Sequence, residues 1–351
     1  MSAAREHTPI RVAVSGADDL IGGAVLKLLF ERDFAVAEAI ALCDAPDGDT
    51  VAPLWGDEPL ELVETHSADL SGVDLLFLCP PCAEPLAVLE RAIESGVRVI
   101  DLIGVERDGL ERVLMAPDLP VIGADYGQRS PDPQARVHAC PDPLALILAT
   151  VLVPIAAEVG LTALRAQFLL PASTLGEPGV RELAGQVENL FNQRDLPTGL
   201  YGRQLAFNLL AGPPAPTDHL ARAAQDFADL LGEPAIPADF RAVWVPVFFG
   251  LSATVWLETG SAIDGERLRL LLRAAPGIIL RDDGELDTPF PSPVEHALDS
   301  DAVHVSLLGA DAAGTHGHVI WLVADDIRRG RALNGVRIAE SLSFGTDYNR
   351  I

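Results

Sequence analysis

Ile10-Arg11-Val12-Ala13-Val14-Ser15-Gly16-Ala17-Asp18-Asp19-Leu20-Ile21-Gly22-Gly23 is the stretch on which the fold turns. Its apolar run alternates as a strand over Ile10 to Ser15, and glycines then mark a tight turn. From Leu20 to Glu31 the residues Leu20, Val25, Leu28 and Leu29 line one side of a helix. Backbone N–H groups at a strand–glycine–helix turn can approach a phosphate at the helix N-terminus. Gly16, Ala17, Asp18 and Gly22 are therefore the candidate cofactor-binding residues. Asp18 and Asp19 carry the competing reading, because a carboxylate at that position caps the helix itself. Self-capping is the stronger of the two. No cofactor is expected, with NAD or NADP the candidates if one binds.

The alternation continues outward. Ala37–Cys43, Val73–Cys79, Val97–Asp101 and Pro120–Gly123 read as strands, and Ala83–Ser95 as a helix ended by Gly96. Strands alternating with helices predict a Rossmann-like, doubly wound parallel sheet in an α/β protein. Asp44 at the end of the second strand fits either an acceptor for a ribose 2′-OH or a turn residue in Asp44-Ala45-Pro46-Asp47-Gly48. The second half reads as α+β, with strands at Thr162–Leu170, Val243–Phe249, Ala253–Glu258, Val303–Leu308 and His318–Ala324 forming a mixed or antiparallel sheet. Helices are expected at Leu144–Ala157, Gly179–Phe191 and Asp326–Leu342, and loops at 212–216 and 287–293. The expected domains are 1–137 with 325–351, and 138–324.

The 351 residues suffice for two cores. Lys plus Arg number 25 against 51 Asp plus Glu, a net charge of -26, which argues against nucleic acid or an anionic membrane as partner. Residues 1–9 are polar, without the apolar core of a signal peptide, and the longest apolar run, Leu144–Ala157, is too short to span a bilayer. A cytoplasmic location is the expectation. Four cysteines, Cys43, Cys79, Cys82 and Cys140, suit a reducing compartment. Cys79-Pro80-Pro81-Cys82 has the spacing of a redox pair or half a metal site, but no second pair exists, and a turn at a strand end is the simpler reading. His316-Gly317-His318 reads as a hairpin turn before a chelate, and no metal site is expected.

Val137-His138-Ala139-Cys140-Pro141-Asp142-Pro143-Leu144 precedes the long apolar helix, where a helix N-terminus would make a thiolate. The segment resembles the Pro-Asn-Cys nucleophile motif of aspartate-semialdehyde dehydrogenases. Further motifs follow in order. Val99-Ile100-Asp101 with Arg107 resembles a Val-Ile-Asp segment followed by a substrate-phosphate arginine. Phe207-Asn208 resembles a Phe-Asn pair, and Val243-Trp244-Val245-Pro246-Val247-Phe248-Phe249-Gly250-Leu251-Ser252 resembles Val-Arg-Val-Pro-Val-x-x-Gly-His-Ser. Asp325-Asp326-Ile327-Arg328-Arg329-Gly330-Arg331-Ala332-Leu333-Asn334 with Ile338-Ala339-Glu340 resembles the closing helix.

The resemblance spans residues 10–342 and implies that family's fold, a Rossmann-like domain plus an α+β dimerisation domain. It also implies where the catalytic groups would stand. The cysteine position falls on Pro143, the glutamine on Leu170, the arginine on Trp244 and the histidine on Leu251. The family's lysine and glutamate fall somewhere in Asp218–Asp226. No catalytic set is intact, a pattern similar to the Usg-type homologues, which lack the dehydrogenase active site. The expectation is a non-catalytic homologue that binds a small ligand or a protein partner. The alternative is an NAD(P)-dependent aldehyde oxidoreductase that uses Cys140, with His138 as base and Arg107 retained. A homodimer is expected through sheet faces of the second domain, with Trp244 and Leu251 adding apolar surface.

Overall fold

The computed structural model describes residues 9–46, 50–106, 109, 114–119, 135–212, 219–232, 236–281, 290–311, 314 and 316–342. Arg107, the expected strand Pro120–Gly123 and most of the two Pro-rich loops lie outside them. The chain divides into two units: Met1–Pro117, Arg129–Cys140 and Arg331–Ile351 form the first, and Asp118–Gln128 with Pro141–Gly330 the second. These junctions lie a few residues beyond 137/138 and 324/325.

The first unit contains strands β1 (Ile10–Val14), β2 (Val36–Cys43), β5 (Leu62–Glu64), β6 (Leu75–Leu78), β7 (Arg98–Asp101) and β8 (Val137–Ala139). They form one sheet in the order β5-β2-β1-β6-β7-β8, and every pairing is parallel. The two-residue strands β3 (Leu54–Trp55) and β4 (Glu58–Pro59) make a small hairpin. The helices are α1 (Leu20–Glu31), α2 (Pro85–Glu94) and the last helix of the chain, α7 (Leu333–Ser341). Sequence order reverses between β1 and β6, the topological switch point at which open α/β sheets bind ligands.

In the second unit the sheet order is β10 (Leu210–Ala211), β11 (Ala238–Trp244), β9 (Leu161–Leu170), β12 (Leu251–Thr259), β15 (Gly317–Ala324), β14 (Val303–Ala310) and β13 (Ile278–Leu280). The sheet is mixed: β11/β9 and β13/β14 pair parallel and the other neighbours antiparallel. Helices α3 (Pro143–Val159), α4 (Gly176–Phe191), α5 (His219–Leu231) and α6 (Gly265–Ala274) complete the unit. Every residue of α3 from Pro143 to Ile155 is buried, as an all-apolar helix requires, and α3 packs on α5 and α6.

Three expectations change. The strand expected at Val243–Phe249 begins earlier and ends at Trp244. Asp239 and Arg241 alternate with buried Phe240, Ala242 and Trp244, a half-buried pattern that their charge disguised. The helix expected from Asp326 opens as a wide turn over Arg328–Ala332 and becomes α7 only at Leu333. Trp244 and Leu251, expected on a docking surface, are 3% and 1% exposed and belong to the core. They add nothing to an exposed face. Among the described residues no helix is long and apolar enough to cross a membrane.

Gly22 shows how tightly α1 is seated on the turn before it: a Cβ there would stand 2.2 Å from the Gly16 carbonyl oxygen. The atoms it would meet are all backbone, of Gly16 and Ala17, and leave no soft neighbour to yield. Gly22→Ala is expected to cost about 1–3 kcal/mol, the usual penalty for overpacking. Urea unfolding checks this, and a midpoint at or above that of the wild type would contradict it.

Candidate functional site

At the switch point of the first unit, the turn after β1 and the loop after β6 are stitched together. The Ser15 hydroxyl accepts the Cys79 N–H at 2.8 Å and donates to the Cys79 carbonyl at 3.0 Å. Gly16 has φ +56, and a Cβ on it would meet the Pro80 and Pro81 carbonyl oxygens within 2.9 Å. This glycine makes room for a neighbouring loop. Asp19 is the N-cap of α1, its carboxylate accepting the Leu20 N–H at 2.6 Å. The self-capping reading of this turn therefore describes its geometry.

The Asp44 carboxylate accepts the Ala83 N–H at 2.6 Å, which ties the end of β2 to the loop before α2. Asp18 lies close enough to Asp44 for their charges to interact; its pKa is raised, chiefly by partial burial and further by Asp44. Burial together with the charges of Asp18, Asp44 and Glu64 pushes the Cys43 thiol up to about 11. The rim of the first two strands is thus negative. Two carboxylates at this rim oppose a diphosphate electrostatically.

All four cysteines are free thiols. Burial and nearby carboxylates push Cys82 up to about 11, and burial pushes Cys79 well above the ordinary thiol range. Neither is an activated thiolate at neutral pH. No group of His, Cys, Asp and Glu among the described residues could hold a metal ion. His318 belongs to β15 and contacts the Ile263 carbonyl at 3.0 Å, while the His316 N–H goes to Glu258 at 2.7 Å. His138 and Cys140 are 2% and 4% exposed, and the Cys140 N–H is held by the Asp101 carbonyl at 2.8 Å.

Within the second unit, Asp142 caps α3 and Pro143 takes its first position. One Asp142 carboxylate oxygen accepts the Leu144 N–H at 2.9 Å, and the other lies 2.8 Å from His219 Nε2. The Asp142 N–H goes to the Asp226 carboxylate at 2.7 Å. Residues 142, 219 and 226 thus close the head of the buried helix with internal charge. His219 and Asp226 stand in the stretch where no role could be fixed from sequence; their pairing depends on α5 lying against α3.

Leu170 and Trp244 are register partners at the adjacent ends of β9 and β11. Leu251 opens β12 opposite Ala324, and all three side chains are in one apolar core. Tyr201 packs edge-on against Trp244 with ring centroids 5.5 Å apart, and its hydroxyl donates to the Gly179 carbonyl at 3.1 Å. A groove of about 560 Å³ opens near the other end of β9, lined by Arg165, Asp239, Trp256 and Glu258 but not by Leu170, Trp244 or Leu251.

One buried polar group among these elements was not singled out from sequence. Asp326, 6% exposed, accepts the Ser173 hydroxyl at 2.8 Å and the Gly250 N–H at 3.1 Å, and so joins the segments beside Leu170 and Leu251. Burial raises its pKa to about 6, against the lowering effect of the Ser173 hydrogen bond. Neighbouring Asp325 is spent on the N–H groups of Ile327, Arg328 and Asp299 at 2.7–3.0 Å. The signal was present in the sequence: Asp326 stands second in the Asp-Asp that opens the closing motif.

Residues 11–119 match the family model described as semialdehyde dehydrogenase, NAD binding domain, and residues 152–329 match semialdehyde dehydrogenase, dimerisation domain. A USG-1 protein homolog of Pseudomonas aeruginosa is 33% identical over 95% of this chain and 98% of its own length. An aspartate-semialdehyde dehydrogenase of a Shewanella species is 29% identical over 94% and 97%. Among solved structures, a probable aspartate-semialdehyde dehydrogenase from Pseudomonas aeruginosa superposes with a TM-score of 0.84 at 30% identity, covering 95% of this chain and 98% of that one. Aspartate semialdehyde dehydrogenase II of Vibrio cholerae, complexed with ASA, gives 0.83 at 26% identity over the same shares.

Asp326 generates a pH prediction. Its folded pKa of about 6 lies above the ordinary 3.8, so its contribution to stability is fully present below about pH 4 and is lost as pH rises through 6. Asp326→Asn keeps the shape and the Gly250 hydrogen bond without the charge, and its Nδ2 donates to the Ser173 hydroxyl oxygen where the carboxylate had accepted. The variant is expected to exceed wild-type stability by up to about 3 kcal/mol at pH 7.5, with the difference vanishing near pH 4. Urea titrations across this range test it; a variant less stable than wild type at pH 7.5 is the contrary outcome.

Proposed function

The chain belongs to the semialdehyde dehydrogenase family, and within that family we propose that it is a non-catalytic homologue whose role is binding. The observation that carries this reading is the packing of Leu170, Trp244 and Leu251 into one apolar core. On the resemblance these positions would hold the glutamine that positions the acyl group, the arginine that clamps the substrate carboxylate and the histidine that moves protons. Apolar side chains there can do none of these things, and Pro143, at the cysteine position, has no nucleophile. Loss of a nucleophile alone costs on the order of 10⁴–10⁶ in rate. The capping of α3 by Asp142 is consistent with this, since it presents a carboxylate where an acyl-forming thiolate would need a positive helix end.

The match to an NAD-binding domain favours a second reading, an NAD(P)-dependent oxidoreductase acting through Cys140. The burial of Cys140 and His138 weighs against it. The match to a dimerisation domain supports a homodimer formed through the second unit. A cytoplasmic location agrees with the free thiols.

Phosphorylating oxidation of aspartate semialdehyde is expected to stay at background with either NAD or NADP. Turnover on the order of 1 s⁻¹ that disappears in Cys140→Ala would replace this reading with the oxidoreductase. In calorimetry, NADP is expected to show no micromolar binding, because Asp18 and Asp44 repel its phosphates. Tight binding that weakens in Gly16→Ala would show that the turn after β1 accepts a dinucleotide after all.

A further inference from the structure

With 51 Asp plus Glu against 25 Lys plus Arg, a guanidinium in this chain readily finds a carboxylate. Arg32 pairs with Glu340 at 2.6 Å, Arg328 with Asp301 at 2.6 Å and Arg329 with Asp118 at 3.2 Å. Arg331, close behind in sequence, departs from this pattern. Its Nη1 donates to the Leu102 carbonyl at 3.2 Å, and no carboxylate among the described residues pairs with it. Arg331 is half-buried, and its remaining guanidinium nitrogens still reach water.

Its neighbours place this cation in the first unit. Leu102 directly follows β7, and its N–H goes to the Leu78 carbonyl at the end of β6 at 3.0 Å. Cys79 follows β6 and feels the same charge. Burial raises its thiol pKa most, Cys140 adds to the rise, and Arg331 works against it. Arg331 therefore stands at the carboxyl ends of β6 and β7, beside the switch point between β1 and β6. Asp101, the acid that ends β7, is 1% exposed and committed elsewhere. Its carboxylate accepts the N–H groups of Ile103, Gly104 and Val105 at 2.7–2.9 Å.

We propose that Arg331 receives a small oxyanion, a carboxylate or phosphate group, at the carboxyl edge of β6 and β7. The proposal rests on the binding reading above and names the class of ligand. A guanidinium is planar and always charged, and its parallel N–H groups match two oxygens of a carboxylate or phosphate. Holding the Leu102 carbonyl occupies only Nη1 and asks for no charge. The carboxylates of Asp18 and Asp44 lie on the other side of the switch point, after β1 and β2. A polyanion long enough to cross to them would be repelled, so the ligand's negative charge is confined to the Arg331 side. This separates the site from one for a dinucleotide, whose diphosphate would lie along the turn after β1.

Calorimetry on the full chain tests this with inorganic phosphate and malonate as probes, at fixed ionic strength and with chloride as the control. The wild type is expected to bind at least one probe saturably, with a dissociation constant of about 1 mM or lower. Arg331→Gln is expected to raise that constant about tenfold or more. A response to phosphate alone supports a phosphoryl ligand, and a response to malonate alone a carboxylate. Should Arg331→Gln fail to fold, protection of the wild type takes its place. Phosphate or malonate at about ten times its dissociation constant is then expected to slow modification of Arg331 by phenylglyoxal about tenfold, read by peptide mass spectrometry. No saturable binding to the wild type overturns the site. So does binding that Arg331→Gln leaves unchanged, or that leaves Arg331 unprotected. These results leave the binding reading standing, since that reading falls to a different assay, turnover of aspartate semialdehyde.

Discussion

The head of α3 is the constraint around which the second unit is built. A helix buried on all sides has no water to satisfy its first N–H groups, so the chain must supply acceptors internally. It does so with Asp142, whose own N–H is in turn received by Asp226 and whose outer oxygen pairs with His219. This small set of charges fixes α5 against α3, and α3 in turn supports the sheet that holds Leu170, Trp244 and Leu251. Asp19 does the same for α1 in the first unit, and Asp264 for α6. At these three helix starts the positive end is neutralised by the protein itself. Chemistry that needs a free helix end has little to work with at α1 and α3.

Much of the fold was legible because it obeys simple periodicities. The strand–glycine–helix opening, the fully buried α3 and the change of character after residue 137 follow from apolar spacing and turn residues. The parts that were not legible fail for physical reasons. The β3–β4 hairpin has two residues per strand, too few for any period to register, and gains its support from Trp55 packing edge-on against Phe30. The edges of β11 were misplaced because Asp239 and Arg241, on its outer face, look like loop residues until the sheet gives them a side. The Pro246 region then read as strand because its residues are apolar, although Pro246 has no N–H to donate to a ladder.

The candidate site was legible in composition but not in its contacts. Sequence alone could place Pro143, Leu170, Trp244 and Leu251 by resemblance. It could not show that Leu170 and Trp244 are register partners, or that Tyr201 fills the space beside the indole. Nor could it show that Asp44 is spent on the Ala83 N–H, since this contact joins residues 39 apart. Asp326 is the instructive omission. A carboxylate next to another carboxylate reads as surface, and only its three-way position between Ser173, Gly250 and the end of β15 reveals a buried acid.

The apolar packing around Trp244 also bears on how easily the sequence could change course. An arginine put there would be a large cation in an apolar core, a substitution of the kind that costs several kcal/mol. A histidine at Leu251 or a glutamine at Leu170 would likewise bury polar atoms in an apolar core. Each single polar replacement is disfavoured while its neighbours stay apolar. Neighbours that pack together constrain one another: in this core exchange among apolar residues is open and a lone polar replacement is not.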